Sequence, residues 1–382
     1  MHVTVALDKF KGTFSSAQAA ELLVQGFKKR QPNITAHVHP LADGGEGTAQ
    51  ILANRLGMDV LQVACVDLLG RPINAPLYWS NSERIALVES ASVLGSHLAA
   101  PTSETFFHSN SRGLGQLFLH ALSLRPKEIW IGLGGTLTAD AGWGFASVCG
   151  LEARDQAATV LTPSIQGIPH IADLVLRPAP LNNLSDTKVF LLCDVNAPAA
   201  PVFDVSLASF LPQKGAPSGE LKATLEHLGS FARALMQISP STRKFSDSFT
   251  AAAGGMALGI SAVLPHVHCI EGAHHVARLS DLEGTLAGTD LVICGEGKLD
   301  TQTLFGKTPM AVAELALKNK IPLIGVFGII EGDSESLRKK LNAERLFSLF
   351  HRPPDNWRQL KRESESRLIE LGVEIAHLLL RG

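Results

Sequence analysis

The stretch 291–308, LVICGEGKLDTQTLFGKT, decides the fold of this chain. Leu291 to Cys294 are consecutively apolar, the mark of a short strand buried on both faces as in a parallel sheet. Gly295 and Gly297 are expected to break that strand. Glu296 and Asp300 then fall in a turn beside Lys298 and Lys307, and a helix with apolar positions at Met310, Ala313 and Leu317 starts after Pro309. The order is strand, polar glycine-bearing loop, helix. In open α/β sheets ligands sit beyond the carboxyl ends of the strands, so a loop this rich in acids and bases is a candidate for chemistry.

The same order recurs on both sides of it. His2 to Leu7 reads as a strand closed by Asp8 and followed by Lys9, Phe10, Lys11 and Gly12, and Ser15 or Ser16 can cap a helix over 17–30. A strand over 36–41 leads to Ala42-Asp-Gly-Gly-Glu-Gly-Thr48 and a second helix start, where free backbone N–H groups can bind an anion. Between 61 and 89 the pieces VACVDLLG, PINAPLYWS and RIALVES read as an antiparallel meander. Ser111-Arg-Gly-Leu-Gly115 precedes a helix over 116–123, and a strand over 128–133 runs into a glycine-rich loop that holds Asp140. Val189 to Cys193 is a buried strand ending at Asp194, and Leu211-Pro-Gln-Lys-Gly-Ala-Pro217 leads to an amphipathic, purely structural helix over 220–238. A buried helix over 251–264 follows. After 285 the parallel order resumes through strands over 322–328 and 346–350 and a last helix over 356–380. The pattern predicts two α/β domains: a Rossmann-like parallel-sheet domain built from both chain ends, 1–64 and 285–382, and an inserted mixed α/β domain over 65–284, with an active-site cleft between them.

Composition bounds the function. With 45% hydrophobic and 18% charged residues over 382 positions, the chain has the makings of large globular cores. Its 34 Lys and Arg against 36 Asp and Glu leave a net charge of -2, so no global field draws it to nucleic acid or to an anionic membrane, and neither is expected as a partner. Five cysteines, at 65, 149, 193, 269 and 294, are odd in number and widely spaced, which predicts reduced thiols in a cytoplasmic protein. No secretory leader is evident and no apolar run reaches membrane-spanning length. The set His266, His268, Cys269, His274 and His275 matches no zinc-finger spacing and reads as a surface loop.

Six glycine-bearing loops carry charge: those around Asp8 and Lys11, Asp43 and Glu46, Arg112, Asp140, Lys214, and Glu296 to Lys307. Each has a bland reading alone, as a helix cap, a tight turn or an ion pair. Brought together they suit phosphoryl transfer, in which glycine loops and helix amino ends bind polyphosphate, Lys and Arg neutralise it, and Asp or Glu hold Mg²⁺ or take the proton of the attacking hydroxyl. The stock nucleotide motifs fail. Gly306-Lys-Thr308 ends like a Walker loop, but Thr301 stands where its first glycine belongs, and the loop after Gly132 lacks the third glycine of a dinucleotide fingerprint.

Taken in order, the motifs resemble the bacterial glycerate kinase family, the type I enzymes, over essentially the whole chain. They are Ala6-Leu-Asp-Lys-Phe-Lys-Gly-Thr13, Ala42-Asp-Gly-Gly-Glu-Gly-Thr48, Ser111-Arg-Gly-Leu-Gly115, Gly132-Leu-Gly-Gly-Thr-Leu-Thr-Ala-Asp-Ala-Gly142, Cys193-Asp-Val195 with Pro212-Gln-Lys-Gly-Ala216, Ala252-Ala-Gly-Gly255, and Gly295-Glu-Gly-Lys-Leu-Asp300 with Gly306-Lys307. Ala139 and Ala141 stand where the family usually has Asn and Gly, and 196–211 reads NAPAAPVFDVSLASFL in place of a glycine-richer stretch.

The resemblance implies ATP-dependent phosphorylation of D-glycerate with Mg²⁺, in the bacterial enzymes usually at the 2-hydroxyl. On that reading Asp8, Lys11, Ser111 and Arg112 bind the substrate. Asp194 orients or deprotonates its hydroxyl, and Lys214 and Lys307 neutralise the transferring phosphoryl group. Gly44, Gly45, Gly47, Gly134, Gly135, Asp140, Gly295 and Gly297 take the nucleotide phosphates, while Asp43, Glu46, Glu296 and Asp300 take the metal. The alternatives are a non-catalytic homologue that binds a small acid or nucleotide, and a kinase of another short hydroxy acid; the oligomeric state is left open.

Overall fold

Period-two alternation and short continuous apolar runs become strands, and the 3.6-residue pattern becomes helices. The computed structural model describes residues 1–178, 181, 184–193, 210–239, 252–301, 303–304, 306–352 and 357–379. Its strands are β1 (His2–Leu7), β2 (Thr35–Val38), β3 (Asp59–Val66), β4 (Pro72–Ser80), β5 (Ile85–Glu89), β6 (Glu128–Leu133), β7 (Leu151–Arg154), β8 (Asp173–Leu176), β9 (Lys188–Cys193), β10 (Val267–Glu271), β11 (Leu291–Leu299), β12 (Leu323–Ile330) and β13 (Arg345–Ser348). The chain divides into two compact units, Met1–Asp43 with Glu271–Gly382, and Gly44–Ile270.

The first unit carries a five-stranded sheet in the order β13-β12-β11-β1-β2. All four pairings are parallel. Val3, Val5 and Leu7 of β1 and Leu291 and Ile293 of β11 are buried in one core, against the helices Ser16–Arg30 and Trp357–Leu378. Ser15 caps the first of these helices in a reciprocal capping box with Gln18. The two helices pack backbone to backbone: a Cβ on Gly26 would lie 2.1 Å from the Ile369 carbonyl oxygen, and one on Gly372 would lie 2.2 Å from that of Leu23.

The second unit carries a six-stranded sheet, β10-β9-β6-β5-β4-β3, and a two-stranded one, β7-β8. Strands β3, β4 and β5 form the antiparallel meander, while β5, β6 and β9 run parallel. Val88, Ile129, Ile131, Val189 and Leu191 are buried in its core with the helix Arg112–Ser123. The expected boundary at 64/65 falls inside β3, whose pairing with β4 keeps 59–66 in this unit. That at 284/285 falls inside the helix Leu282–Leu286.

Two local expectations are corrected. β11 does not break at Gly295 and Gly297 but runs on to Leu299, paired with β12 through Lys298 and Leu299. Gly295 is required there because a Cβ would lie 1.7 Å from the Val326 carbonyl oxygen of the neighbouring strand. The helix expected over 116–123 starts at Arg112, so Arg112, Gly113, Leu114 and Gly115 form its first turn.

Candidate active site

In the first unit, acids collect at the carboxyl ends of adjacent parallel strands. Asp8 follows β1, Asp43 lies beyond β2, and Glu296 sits in β11, all three buried. The Asp8 carboxylate accepts from Thr308 Oγ1 at 2.5 Å and from its neighbour's backbone, Lys9 N, at 2.6 Å. Lys9 Nζ lies 3.2 Å from Asp43 Oδ1 and 3.5 Å from Asp8 Oδ1, bridging the two acids. Glu296 Oε1 accepts from Thr303 Oγ1 at 2.7 Å. Burial pushes the Glu296 carboxyl up to about 8; Lys307 opposes the rise, and the charges on Asp8 and Asp43 add to it. Asp8 is likewise raised by burial, with Lys9 opposing and Asp43 adding. Lys307 stands at the amino end of the helix Thr308–Lys318, where the helix dipole also favours negative charge.

The remaining residues expected here are placed differently. Asp300 pairs with Lys298 at 3.2 Å and accepts from Thr303 N, so it shapes the turn after β11. Lys11 is exposed, and its backbone nitrogen is 3.1 Å from where a Gly297 Cβ would stand. Gly297 therefore admits the 8–11 loop against the strand.

Among the described residues the second unit buries Asp67 and Asp140, and Asp140 is tied into the local architecture. Asp140 is fully buried and accepts four hydrogen bonds, from Ser111 N (2.9 Å), Ser111 Oγ (2.8 Å), Gly144 N (2.9 Å) and Gly142 N (3.2 Å). Ser111 Oγ in turn accepts from Phe145 N at 2.9 Å. Burial raises the Asp140 carboxyl, and the bonds from Gly144, Ser111 and Gly142 oppose that rise. Asp140 and Ser111, expected to touch phosphate and substrate, bond to each other and tie the start of the helix Arg112–Ser123 to that of the helix Trp143–Val148. The Arg112 side chain is exposed and makes no ion pair with any described residue, while its backbone N–H is held by Asn110 Oδ1 at 3.1 Å. Buried Lys214 donates from Nζ to the Thr136 carbonyl and, at 3.1 Å, to Thr136 Oγ1.

The glycine loop after Asp43 turns through left-handed backbone at Gly44 (φ 97°) and Gly47 (φ 96°), with Gly45 buried between them. A helix, Thr48–Leu56, starts behind it. Its first turn already holds an anionic partner: Glu89 Oε1, at the end of β5, accepts from Ala49 N at 2.6 Å. Glu46 is exposed, and its Cβ lies 3.5 Å from where a Gly135 Cβ would stand. Gly135 is left-handed (φ 68°), and Gly134 exchanges hydrogen bonds with Ser90. Asp194 lies outside the described residues.

Sequence reasoning missed Thr303, Thr308 and Glu89. Glu89 had a legible signal, an acid closing an apolar strand as Asp8 does. The two threonines carried none, because a hydroxyl becomes a partner only once the loop brings it to a carboxylate.

Hard carboxylate oxygens at Asp8, Asp43 and Glu296 are the donor type that Mg²⁺ takes. Among the described residues no three Asp, Glu, His or Cys side chains converge as a closed metal set. Among the described residues no helix is long and apolar enough to cross a membrane.

Comparison with known proteins identifies the family. The sequence profile of the glycerate kinase family matches residues 3–380. A glycerate kinase of Bacillus subtilis (strain 168) is 30% identical over 349 residues, spanning 91% of this chain and 90% of the relative. The glycerate 2-kinase of Escherichia coli (strain K12) is 29% identical over 339 residues, 87% of this chain and 86% of the relative. A crystal structure assigned as glycerate kinase 2 of Salmonella typhimurium LT2 superposes with a TM-score of 0.76 at 28% identity, covering 100% of this chain and 99% of that one. Fold and matches together define a kinase built on two α/β units. The chain belongs to the glycerate kinase family.

Proposed function

We propose that the chain transfers the γ-phosphoryl group of ATP to the 2-hydroxyl of D-glycerate, giving 2-phosphoglycerate and ADP. One observation carries the reading: in a member of this family, buried acids and lysines collect at the carboxyl ends of adjacent parallel strands. The name of the Escherichia coli relative, glycerate 2-kinase, supports the choice of hydroxyl.

Asp43 and Glu296, with Asp8 beside them, would hold Mg²⁺. When bound, the metal neutralises charge on the phosphate oxygens. Lys9 and Lys307 supply positive charge for the phosphates from this chain. The exposed guanidinium of Arg112 suits the substrate carboxylate, which it can meet with two parallel hydrogen bonds. Asp194, next in sequence after β9, takes the hydroxyl proton as the new P–O bond forms and ADP leaves. An Asp194→Asn variant that folds and keeps wild-type turnover would remove Asp194 from that role. The five free thiols suit the cytoplasm, where the reaction is placed.

A coupled assay for ADP, with D-glycerate and Mg²⁺ present, tests the whole reading. The expected result is glycerate-dependent ADP release with 2-phosphoglycerate as the product by phosphorus NMR. Correctly folded protein without glycerate-dependent ADP favours the non-catalytic alternative; faster turnover on another short hydroxy acid would reassign the substrate.

A further inference from the structure

The first unit contains a second feature that the acid set does not use. Against the carboxyl-end residues of β11 and β12, on the side of the helix Trp357–Leu378, lies a cavity of about 180 Å³. Phe10 and Phe350 line it, and Arg367 stacks its guanidinium 5.4 Å from the Phe350 ring centre. Bare backbone at Gly297 and Gly328 forms part of the wall. Ser364 is 2% exposed and lines the cavity, which puts its hydroxyl within reach of an occupant. Lys11 is the cation at the rim.

These features describe an occupant. Aromatic rings and flat glycine backbone favour a planar ring system, and a serine hydroxyl in the wall can meet a hydrogen-bonding edge on that ring. The rim lysine asks for an attached anion. The cavity is below the range of about 300–1,000 Å³ that takes a whole drug-sized ligand, so it holds one ring system and leaves the rest outside.

The chain itself links the cavity to the acid set. Glu296 and Gly297 are consecutive in β11 and so face opposite sides of the sheet, Glu296 toward Asp8 and Asp43, Gly297 toward the cavity. The 8–11 loop alternates likewise, with Lys9 on the acids and Lys11 at the cavity rim. We propose that this cavity receives the heteroaromatic base of the nucleoside triphosphate donor, with the phosphates crossing the strand end from Lys11 toward Lys9; the placement rests on the phosphoryl-donor reading given above. Ser364 supplies the hydrogen bond to the ring edge, and Phe10 and Phe350 supply the stacking.

The test separates base from phosphate. Leu360, half-buried on the same helix, also lines the cavity, and Leu360→Trp fills it. KM for ATP is expected to rise about five- to a hundredfold, the worth of stacking one base, while the inhibition constant of inorganic tripolyphosphate and KM for D-glycerate stay at wild-type values. The smaller change Ser364→Ala, which keeps the fold if the tryptophan does not, is expected to raise KM for ATP about three- to tenfold with the same split. Either folded variant with a wild-type KM for ATP overturns the placement, as does equal weakening of ATP and tripolyphosphate. If wild-type protein neither binds ATP nor releases ADP, the donor reading falls and the placement with it; if it does both and the variants are unchanged, only the placement falls.

Discussion

Asp140 and Glu296 are both buried carboxylates beside glycines in a family-defining motif, yet their surroundings are opposite. Asp140 is met by four N–H and O–H donors, and no described acid adds to the rise in its carboxyl. Among the described residues Glu296 has one hydroxyl donor, and it stands within the fields of Asp8 and Asp43, with Lys307 as the opposing charge. A buried carboxylate saturated by donors is built into the architecture. One left with few donors and like-charged neighbours stores unfavourable energy that a bound cation or polyphosphate complex would relieve. Within a single chain, the contrast separates an acid saturated by donors from one that is not.

Removing the saturated acid gives the largest expected effect. Asp140→Ala leaves buried donors unmet and unties two helix starts, so we expect a loss of about 3–5 kcal/mol in unfolding free energy, read by denaturant titration. A change under about 1 kcal/mol would show that Asp140 is not the anchor its four bonds indicate.

Removing the starved acid reverses the pattern. Glu296→Gln should lower kcat about a hundred- to a thousandfold while stability holds or rises. The sign follows from protonation: the carboxyl sits at about 8 in the folded chain against 4.5 ordinarily, so between those values the folded state holds a proton that the unfolded state has released. Glu296 therefore costs nothing below the lower value and progressively destabilises the metal-free protein as pH rises through the higher one. Unfolding of the wild type in chelator, compared at pH 5 and pH 8.5, should show this fall relative to the glutamine variant; parallel curves for the two proteins would contradict it. This pH-linked difference is the smallest effect of the set, a few kcal/mol at most.

Much of this was legible in advance, for local reasons. The Ser15 cap, the meander over β3 to β5 and the parallel strands around Asp8 and Glu296 each follow from patterns within a dozen residues. The failures share a cause. Gly295 and Gly297 read locally as a break, but the strand passes through them because neighbouring backbones approach too closely for a side chain. Ser111 looked like a ligand-binding residue because sequence cannot show that Asp140, 29 positions away, already accepts from it. Asp300 reads locally as a metal ligand, and only the fold shows Lys298 and Thr303 at its oxygens.

The sequence alone determined the class of chemistry and the order of the strands, since residue type and period are local properties. It also carried the family, through motifs read in order. Only the tertiary structure decided which acids are spent on architecture and which are left wanting, because the state of a buried carboxylate depends on the donors and charges that distant segments bring to it.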